Sequence, residues 1–296
     1  MFSRQFKFRQ KNFLGIDIGT RSLRMIELSH EKNNHKLENY ALIPLQSQNE
    51  ATIIATIKAS LKNTKTNKAA FAFAHSAIIY QQINIAKDLS ENELEKFLEF
   101  NLEKYVGQSA ANISMDYQFL NDAQIQLTTA RRERVKQYSQ IAYASNLDLK
   151  IIDINSCALV RSINLQTHDI HNTIAIINID LETILICISK NGVLLYAHEG
   201  FVANFDGPAC IEKELRLCLE SIDETPSQIF LAGEKFLTEP DLAKTMSTLL
   251  SIPISTINPF VNLKLSANLD KNTFNKIAPA MLIAYGLAMR SDYAKY

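Results

Sequence analysis

Phe13-Leu-Gly-Ile-Asp-Ile-Gly-Thr-Arg-Ser-Leu-Arg-Met-Ile-Glu-Leu28 contains two apolar strands, predicted over 13–18 and 23–28, which a short polar turn joins. Gly19 gives this turn backbone freedom, and the small hydroxyl residues after it leave the N–H groups of the turn free to face an anion. The carboxylate of Asp17, shortly before the turn, is of the kind that holds a hydrated metal ion. The pattern predicts a phosphate-binding loop. The alternative is an ordinary hairpin in which Asp17 caps the turn.

A second segment, Thr173–Ser189, repeats this shape of apolar strand, short polar turn and apolar strand. Each copy is followed by a third strand, predicted over 36–43 and 193–198. Because the two units lie roughly 160 residues apart, they indicate an internal duplication, with two related lobes that face each other across a cleft.

The composition bounds the class of protein. The chain has 296 residues, 47% of them hydrophobic, so it is expected to be globular and soluble and is long enough for two domains. Its 31 basic and 31 acidic side chains cancel, which argues against a broad nucleic-acid-binding surface. The four cysteines form no Cys-x-x-Cys pair and are typical of small apolar core residues in a reducing compartment.

Neither a signal peptide nor a membrane span is expected. Residues 2–11 are basic and aromatic, but no apolar run of signal-peptide length follows them. No run approaches the roughly 20 apolar residues of a membrane helix. Residues 2–11 are therefore either a solvated terminus or a segment attracted to an anionic membrane surface.

Residues 77–145 differ in character and are predicted to be a compact inserted subdomain with two helices and about three strands. Ser90-Glu-Asn-Glu93 is a capping box that begins a helix. The apolar stripe of this helix consists of Leu94, Phe97, Leu98, Leu102 and Tyr105. Phe100 lies beside the stripe, which makes it either a candidate partner contact or a residue that packs against a neighbouring loop.

A last helix, predicted over 280–289, is apolar on nearly every face and should be buried between other elements. Gly286 inside it costs about 1 kcal/mol of helix propensity. Close packing against another backbone is the predicted reason for a glycine at this position.

Six motifs together resemble one family. They are Gly15-Ile-Asp-Ile-Gly-Thr20, Asp88-Leu-Ser-Glu-Asn-Glu-Leu94, Met115-Asp-Tyr-Gln-Phe119, Asp153-Ile-Asn-Ser-Cys-Ala-Leu-Val-Arg161, Asn258-Pro-Phe260 and Ala278-Pro-Ala-Met-Leu-Ile-Ala-Tyr-Gly-Leu-Ala-Met-Arg290. On these motifs the chain is similar to the PilM family, cytoplasmic actin-like proteins of type IV pilus assembly that are related to the cell-division protein FtsA. The resemblance covers almost the whole chain. It implies an α/β, actin-like (ribonuclease H-like) two-lobed fold with an inserted FtsA/PilM-type subdomain and a reduced second lobe.

The resemblance also implies a domain organisation. The first lobe is expected at 1–76 and 146–170, the insertion at 77–145 and the second lobe at 171–262, and residues 263–296 should bring a buried helix back to the first lobe. Only 28 residues separate Gly200 from Ile229, which is room for little beyond one helix. The subdomain that roofs the nucleotide in intact actin-like folds is therefore expected to be missing or vestigial.

The function that the resemblance implies is that of an adaptor under the inner membrane. Proteins of the family grip the short N-terminal cytoplasmic tail of the membrane protein PilN in a groove between the first lobe and the insertion. They thereby link the PilN–PilO platform to the pilus motor. The protein is expected in the cytoplasm, peripheral to the inner membrane through its partners, in a type IV pilus of twitching motility or a competence pseudopilus. The candidate partner-binding residues are Phe100, Phe97 and Tyr105.

The resemblance further implies ATP between the lobes. The candidate nucleotide-binding residues are Asp17, Gly19, Thr20, Arg21, Ser22, Asn178, Asp180 and Gly233, with Asp17 also the candidate Mg²⁺ ligand.

The second loop departs from the family pattern. In Asn178-Ile-Asp-Leu-Glu182 an amide replaces the metal-side acid, an aspartate replaces the turn glycine, and two carboxylates would repel a triphosphate. The segment 232–235 keeps one glycine of the family's Gly-Gly pair. ATP binding is therefore expected to be weak or lost; the open alternative is that Asp180 binds the metal of a retained Mg-ATP.

Four functions are left open at this point. The leading hypothesis is a scaffold with weak or absent ATP binding, and the second is a working actin-like ATPase or sugar-kinase-like enzyme that uses the 13–28 loop. An FtsA-like filament protein would need a C-terminal amphipathic membrane helix, and a type II secretion platform protein would continue into a membrane span. Phosphoryl transfer needs a general base and a metal clamp that face the γ-phosphate. Asp17 has no convincing partner for that chemistry, so the scaffold is favoured and no catalytic residue is expected.

Overall fold

The computed structural model describes residues 11–31, 34–87, 89–107, 109–164, 172–201, 208–222, 224–239, 241–249, 252–256, 258–261 and 263–292. Its strands are β1 (Lys11–Ile18), β2 (Ser22–Glu31), β3 (Asn34–Pro44), β4 (Lys68–Phe73), β5 (Ile78–Asn84), β6 (Ile113–Asn121), β7 (Gln124–Arg131), β8 (Asp148–Ile154), β9 (Thr173–Ile179), β10 (Thr183–Lys190), β11 (Val193–Phe201), β12 (Gln228–Ala232), β13 (Ile254–Thr256) and β14 (Lys264–Leu265). Its helices are α1 (Glu50–Ser60), α2 (Glu91–Val106), α3 (Arg132–Ala144), α4 (Asn155–Asn164), α5 (Pro208–Glu220), α6 (Lys235–Thr238), α7 (Leu242–Leu249), α8 (Lys271–Ile277) and α9 (Leu282–Ala288). The sequence interpretation of residues 2–11 concerns a segment that lies almost wholly outside these described residues.

Two sheets share one strand order. In the first lobe the order is β14-β3-β2-β1-β4-β8, and in the second lobe it is β11-β10-β9-β12-β13. In each sheet three consecutive strands form an antiparallel meander, and the first strand of the meander pairs in parallel with the strand on its other side. The duplication that the sequence predicts is therefore confirmed, and the class of the fold is α/β.

The duplication extends to the turns. The Gly19 N–H donates to the Ser22 carbonyl at 3.0 Å in the first lobe, and the Asp180 N–H donates to the Thr183 carbonyl at 2.9 Å in the second. The two turns close each hairpin in the same way, and both lie at the cleft between the lobes.

Two helices, α4 and α9, pack between the sheets in an apolar core that takes residues from both lobes. Every residue of α9 is buried, as its apolar sequence predicts. A Cβ added to Gly286 would lie 1.9 Å from the Ala158 carbonyl oxygen of α4, and one added to Gly15 of β1 would lie 2.0 Å from the Ala284 oxygen of α9. The predicted reason for Gly286 is thus confirmed, because no side chain fits where these backbones meet.

The insertion is a three-stranded sheet, in the order β5-β7-β6, with α2 on one face. The predicted capping box is present: the Ser90 hydroxyl accepts the Glu93 N–H, and the Glu93 carboxylate accepts the Ser90 N–H. Helix α2 ends at Gly107, whose φ of +67° suits a residue without a Cβ. Leu94, Leu98 and Leu102 face the sheet and are buried. The opposite face of this sheet is turned toward the first lobe.

Between β11 and β12 the described residues form one helix, α5, which packs on the second-lobe sheet beside α7. Among the residues that the structure describes, no helix combines the length and the apolar character needed to cross a membrane.

Candidate functional site

The cleft between the lobes is where the sequence predicts a nucleotide. It holds a cavity of about 100 Å³ that residues of both lobes line, among them Asp17, Gly19 and Thr20 of the first turn and Asn178 and Asp180 of the second. The structure therefore brings the two predicted loops together across the cleft. Pockets for ligands of this kind usually enclose about 300–1,000 Å³, so the cavity is small for a nucleotide.

An ionic cluster occupies the cleft beside this cavity, and Arg24 of β2 is at its centre. The Arg24 guanidinium is 2% exposed. Its Nη1 lies 2.9 Å from the Asp17 carboxylate, and its Nη2 lies 2.8 Å from that of Asp180 and 2.9 Å from that of Glu234. Asp17 belongs to the first lobe, whereas Asp180 and Glu234 belong to the second. One cation thus meets three carboxylates and joins the lobes.

Burial and the neighbouring charges together shift the pKa values of Arg24 and Asp17. Burial alone would lower the pKa of Arg24, but the charges of Asp180, Asp17 and Glu234 raise it above its usual value, so the guanidinium stays charged. The pKa of Asp17 is also raised, because its burial and the nearby Asp180 charge outweigh the attraction of Arg24. The cluster therefore carries an excess of negative charge that is costly to increase.

Two of the donors of the first loop that the sequence offers to a phosphate, the Gly19 N–H and the Ser22 hydroxyl, already have partners. The Gly19 N–H is bonded within the turn, and the Ser22 hydroxyl donates to Glu234 at 2.5 Å. The Gly19 and Thr20 carbonyls accept the amide N–H groups of Gln48. This turn presents no N–H of Gly19 and no hydroxyl proton of Ser22 to an incoming anion.

The other predicted residues have structural surroundings of their own. Arg21 is exposed and lies 3.6 Å from the Glu182 carboxylate across the cleft. Asn178 is buried at the end of β9, in the position that Asp17 has in β1. Gly233 has a φ of +109°, and a Cβ there would lie 2.2 Å from the Ile179 carbonyl oxygen. Gly233 is therefore needed where backbone meets backbone.

A second link joins the lobes on the far side of the cavity. The Glu199 carboxylate of β11 accepts the N–H and hydroxyl of Ser76, at 2.9 and 3.0 Å, and the amide of Asn155 at 2.8 Å. Ser76 follows β4, and Asn155 begins α4. Glu199 adds a further carboxylate to the wall of the cavity.

These residues do not fit Mg-ATP. A triphosphate needs cations and N–H donors, but Arg24 is already surrounded by Asp17, Asp180 and Glu234. Glu199 adds a fourth carboxylate to the wall of the same cavity. Two like charges about 4 Å apart near a protein surface cost about 4 kcal/mol. Repulsion and lack of space thus act together against a nucleotide in this closed cleft.

A larger groove, of about 430 Å³, lies between the uncovered face of the insertion's sheet and the first lobe. Alternate residues of β6 and β7 share this face, because they are directly paired in the sheet. The pairs are Ser114 with Ala130, Asp116 with Thr128, and Gln118 with Gln126. The groove is lined on the insertion side by Tyr80, Ser114, Met115, Asp116, Tyr117, Gln118, Gln126, Thr128 and Ala130. Strand β6 is at the edge of its sheet, and five consecutive residues of it line the groove.

The first lobe supplies the other wall, including Phe73 and Ile152. At its base the Asp153 carboxylate lies 2.9 Å from Arg161 Nη1 and 3.3 Å from Arg290 Nε. Arg161 also donates to the Gly286 carbonyl at 2.8 Å. The segments 115–119, 153–161 and 278–290, far apart in sequence, all reach this groove.

The candidate partner contacts on α2 lie elsewhere. Helix α2 covers the face of the insertion's sheet that is opposite to the groove. Phe97 and Tyr105 are half-buried against the core of the insertion, and Phe100 is 89% exposed. The structure therefore does not bring these three residues to the groove between the first lobe and the insertion.

The sequence interpretation missed Arg24, Glu234 and Glu199. One signal for Arg24 was available, since it lies between the apolar residues Leu23 and Met25, and a charged residue that a strand buries needs a partner. No local pattern identifies that partner, because Asp180 and Glu234 are more than 150 residues away along the chain.

Comparisons with known proteins bear on the family and the fold. A family model described as "Type IV pilus assembly protein PilM" matches residues 15–217 and 209–292. Among solved structures, the chain is similar to a PilM-PilN type IV pilus biogenesis complex, with 17% sequence identity and a TM-score of 0.81 over 94% of this chain and 97% of that chain. It is also similar to the cytoplasmic domain of EpsL, an inner membrane component of the type II secretion system of Vibrio cholerae, with 11% identity and a TM-score of 0.56 over 97% of both chains.

A third similar structure is a Bacteroides thetaiotaomicron protein with an actin-like ATPase fold, with 12% identity and a TM-score of 0.52 over 84% of this chain and 92% of that chain. At these identities the solved structures establish the fold, which is the actin-like fold that the sequence predicts.

Proposed function

The chain belongs to the family of the type IV pilus assembly protein PilM, and we propose that it is an adaptor that binds the N-terminal cytoplasmic tail of a PilN-like inner-membrane protein. The observation that carries the proposal is the groove between the insertion and the first lobe, where three of the motifs that resemble the family meet. The similarity in fold to a PilM-PilN complex supports the choice of partner.

The groove suits a short peptide. Its volume of about 430 Å³ falls within the usual range of binding pockets, about 300–1,000 Å³. One wall is the edge strand β6, whose backbone is of the kind to which an extended peptide adds as a further strand. Apolar side chains such as Phe73 and Ile152 can receive the few apolar anchors that dominate the affinity of such peptides.

In this proposal the protein is cytoplasmic and reaches the inner membrane through its partner, and it connects the PilN–PilO platform to the motor indirectly. ATP binding is weak or absent, because Arg24 and its carboxylates occupy the cleft.

The same proposal includes a division of the chain into four parts. They are a first lobe (1–76 and 146–170), an insertion (77–145), a second lobe (171–262) and a C-terminal segment (263–296). The strand order supports it.

The test is the affinity of a dye-labelled synthetic peptide, the N-terminal cytoplasmic tail of a PilN-like protein, measured by fluorescence anisotropy. Thr128→Arg places a large side chain in the groove, and Phe100→Arg places the same side chain on the opposite face of the insertion. We expect Thr128→Arg to weaken binding by at least about tenfold, or 1.4 kcal/mol, and Phe100→Arg to leave it unchanged. Circular dichroism melting curves check that both variants are folded.

Two outcomes would contradict specific parts of the proposal. If Phe100→Arg weakens binding and Thr128→Arg does not, the peptide binds to the α2 face, and Phe100 is its contact. If the wild type does not bind the peptide, the adaptor function is wrong.

A further inference from the structure

The contacts of Arg24 cross from one lobe to the other. Arg24 and Asp17 lie on paired strands of the first lobe, and the register of β1 and β2 alone would place them side by side. The other two carboxylates, of Asp180 and Glu234, come from the second lobe and meet the same guanidinium nitrogen, Nη2. The fold of the first lobe thus accounts for the Asp17–Arg24 ion pair but not for the ion pairs of Arg24 with Asp180 and Glu234.

Hydrogen bonds around the guanidinium reinforce this connection. The Glu234 carboxylate also accepts the Ser22 hydroxyl of the first lobe. The Glu234 N–H donates to Asp180 at 3.1 Å, which holds the two acids of the second lobe together. These hydrogen bonds fix the positions of Asp180 and Glu234 relative to the Arg24 guanidinium.

If the lobes separated, Asp180 and Glu234 would lose the one cation that this cluster contains. A hydrogen bond holds Asp180 next to Glu234, so these two carboxylates would be left to repel each other without the positive charge that now offsets their repulsion. Separation would also remove the Ser22 bond to Glu234. The closed arrangement of the lobes and the position of Arg24 therefore depend on each other.

We propose that Arg24 acts as a built-in ligand of the cleft, which holds the two lobes closed without any nucleotide. The protein is then a scaffold whose cleft conformation is set by its own side chain. This inference does not rest on the partner proposed above, and its test involves no partner peptide, so the two fail separately.

Amide hydrogen exchange of the full chain, followed by mass spectrometry, tests the connection between lobes. Glu234→Gln changes only the second lobe and removes a charge that faces Arg24. We expect this variant to exchange faster at the turn of the first lobe, residues 18–24. Glu239→Gln is the matched control, because Glu239 lies nearby in sequence but pairs with Lys235 at the surface. If exchange at 18–24 is the same in Glu234→Gln as in the wild type, Arg24 does not hold the lobes together.

Chemical rescue tests the role of the guanidinium itself. Arg24→Ala leaves a space that opens on the cleft cavity, because Arg24 is part of the cavity wall. We expect millimolar guanidinium chloride to raise the Tm of Arg24→Ala and to slow its exchange at both 18–24 and 178–185, without any such effect on the wild type. Urea is the neutral control of the same shape, and sodium chloride controls for ionic strength.

If Arg24→Ala folds, then rescue by urea and guanidinium alike, or by neither, would overturn the role of Arg24 as a charged ligand. If Arg24→Ala does not fold even with guanidinium, the cross-lobe exchange of Glu234→Gln still decides the proposal, since that variant keeps Arg24.

Discussion

The contact between α4 and α9 gives the sharpest prediction of stability. These helices lie between the lobes, and Gly286 is the point where their backbones meet. A Cβ at this position would lie 1.9 Å from the Ala158 carbonyl oxygen and 2.6 Å from its carbon. Both atoms are backbone atoms of a helix, so the conflict cannot be relieved by rotation of a side chain. Gly286→Ala therefore forces α4 and α9 apart by roughly 1 Å.

Two effects of opposite sign decide the size of the change. Alanine in a helix interior is favoured over glycine by about 1 kcal/mol. Overpacking in a well-packed core costs about 1–3 kcal/mol, occasionally more, and a backbone conflict belongs at the upper end of that range. We expect Gly286→Ala to lower the free energy of unfolding by about 2 kcal/mol or more, measured by urea denaturation that is followed by circular dichroism.

The control is Gly200→Ala, whose added Cβ would have no neighbour closer than 3.6 Å. It makes the same chemical change without the conflict and should alter stability by less than about 0.5 kcal/mol. If Gly286→Ala is as stable as the wild type, or more stable, the helices are not in the close contact described above, and helix propensity alone governs the position.

Three further predictions follow from the charged residues. Calorimetric titration with Mg-ATP should show no saturable binding at micromolar concentrations, since carboxylates surround Arg24; sub-micromolar affinity that Asp17→Ala abolishes would contradict this. Burial raises the pKa of Asp17, so its stabilising contribution is greatest below its ordinary pKa and is lost as pH rises through the folded value. In urea unfolding, the wild type should therefore lose stability relative to Asp17→Asn as the pH rises from about 4 to about 7. A difference in unfolding free energy between the two proteins that stays constant over this range would refute the prediction. Although burial acts to raise the pKa of Glu38, hydrogen bonds from Lys65, Ser266 and Ser29 lower it to about 2. The wild type should therefore be more stable than Glu38→Gln by its full margin above pH 4.5, and this margin should shrink as the pH falls toward 2. A margin that grows on acidification would refute this prediction.

Local chemistry made several features of the fold predictable. The turn at Gly19, the capping box at Ser90 and the buried helix around Gly286 each depend on residues within a few positions of one another. Periodicity and turn chemistry act over that range, so the strands, the duplication of the lobes and the insertion could be read from the chain. The family resemblance also rests on such short motifs.

The contents of the cleft were not predictable in the same way. The sequence suggested that Asp180 and Glu182 would repel a phosphate, but it did not show that Arg24 meets the carboxylate of Asp180. Nor did it show that α2, with Phe100, covers the face of the insertion that is opposite to the groove. That arrangement depends on which face of a sheet packs against which lobe.

The sequence by itself determined the elements, their duplication and the family, because each rests on patterns that neighbouring residues create. Only the tertiary structure decided what occupies the cleft and which surface forms the groove. Asp180 and Glu234 meet Arg24 only after the two sheets have packed against α4 and α9. An ion pair depends on a distance of about 3 Å between groups, and separation along the chain carries no information on that distance.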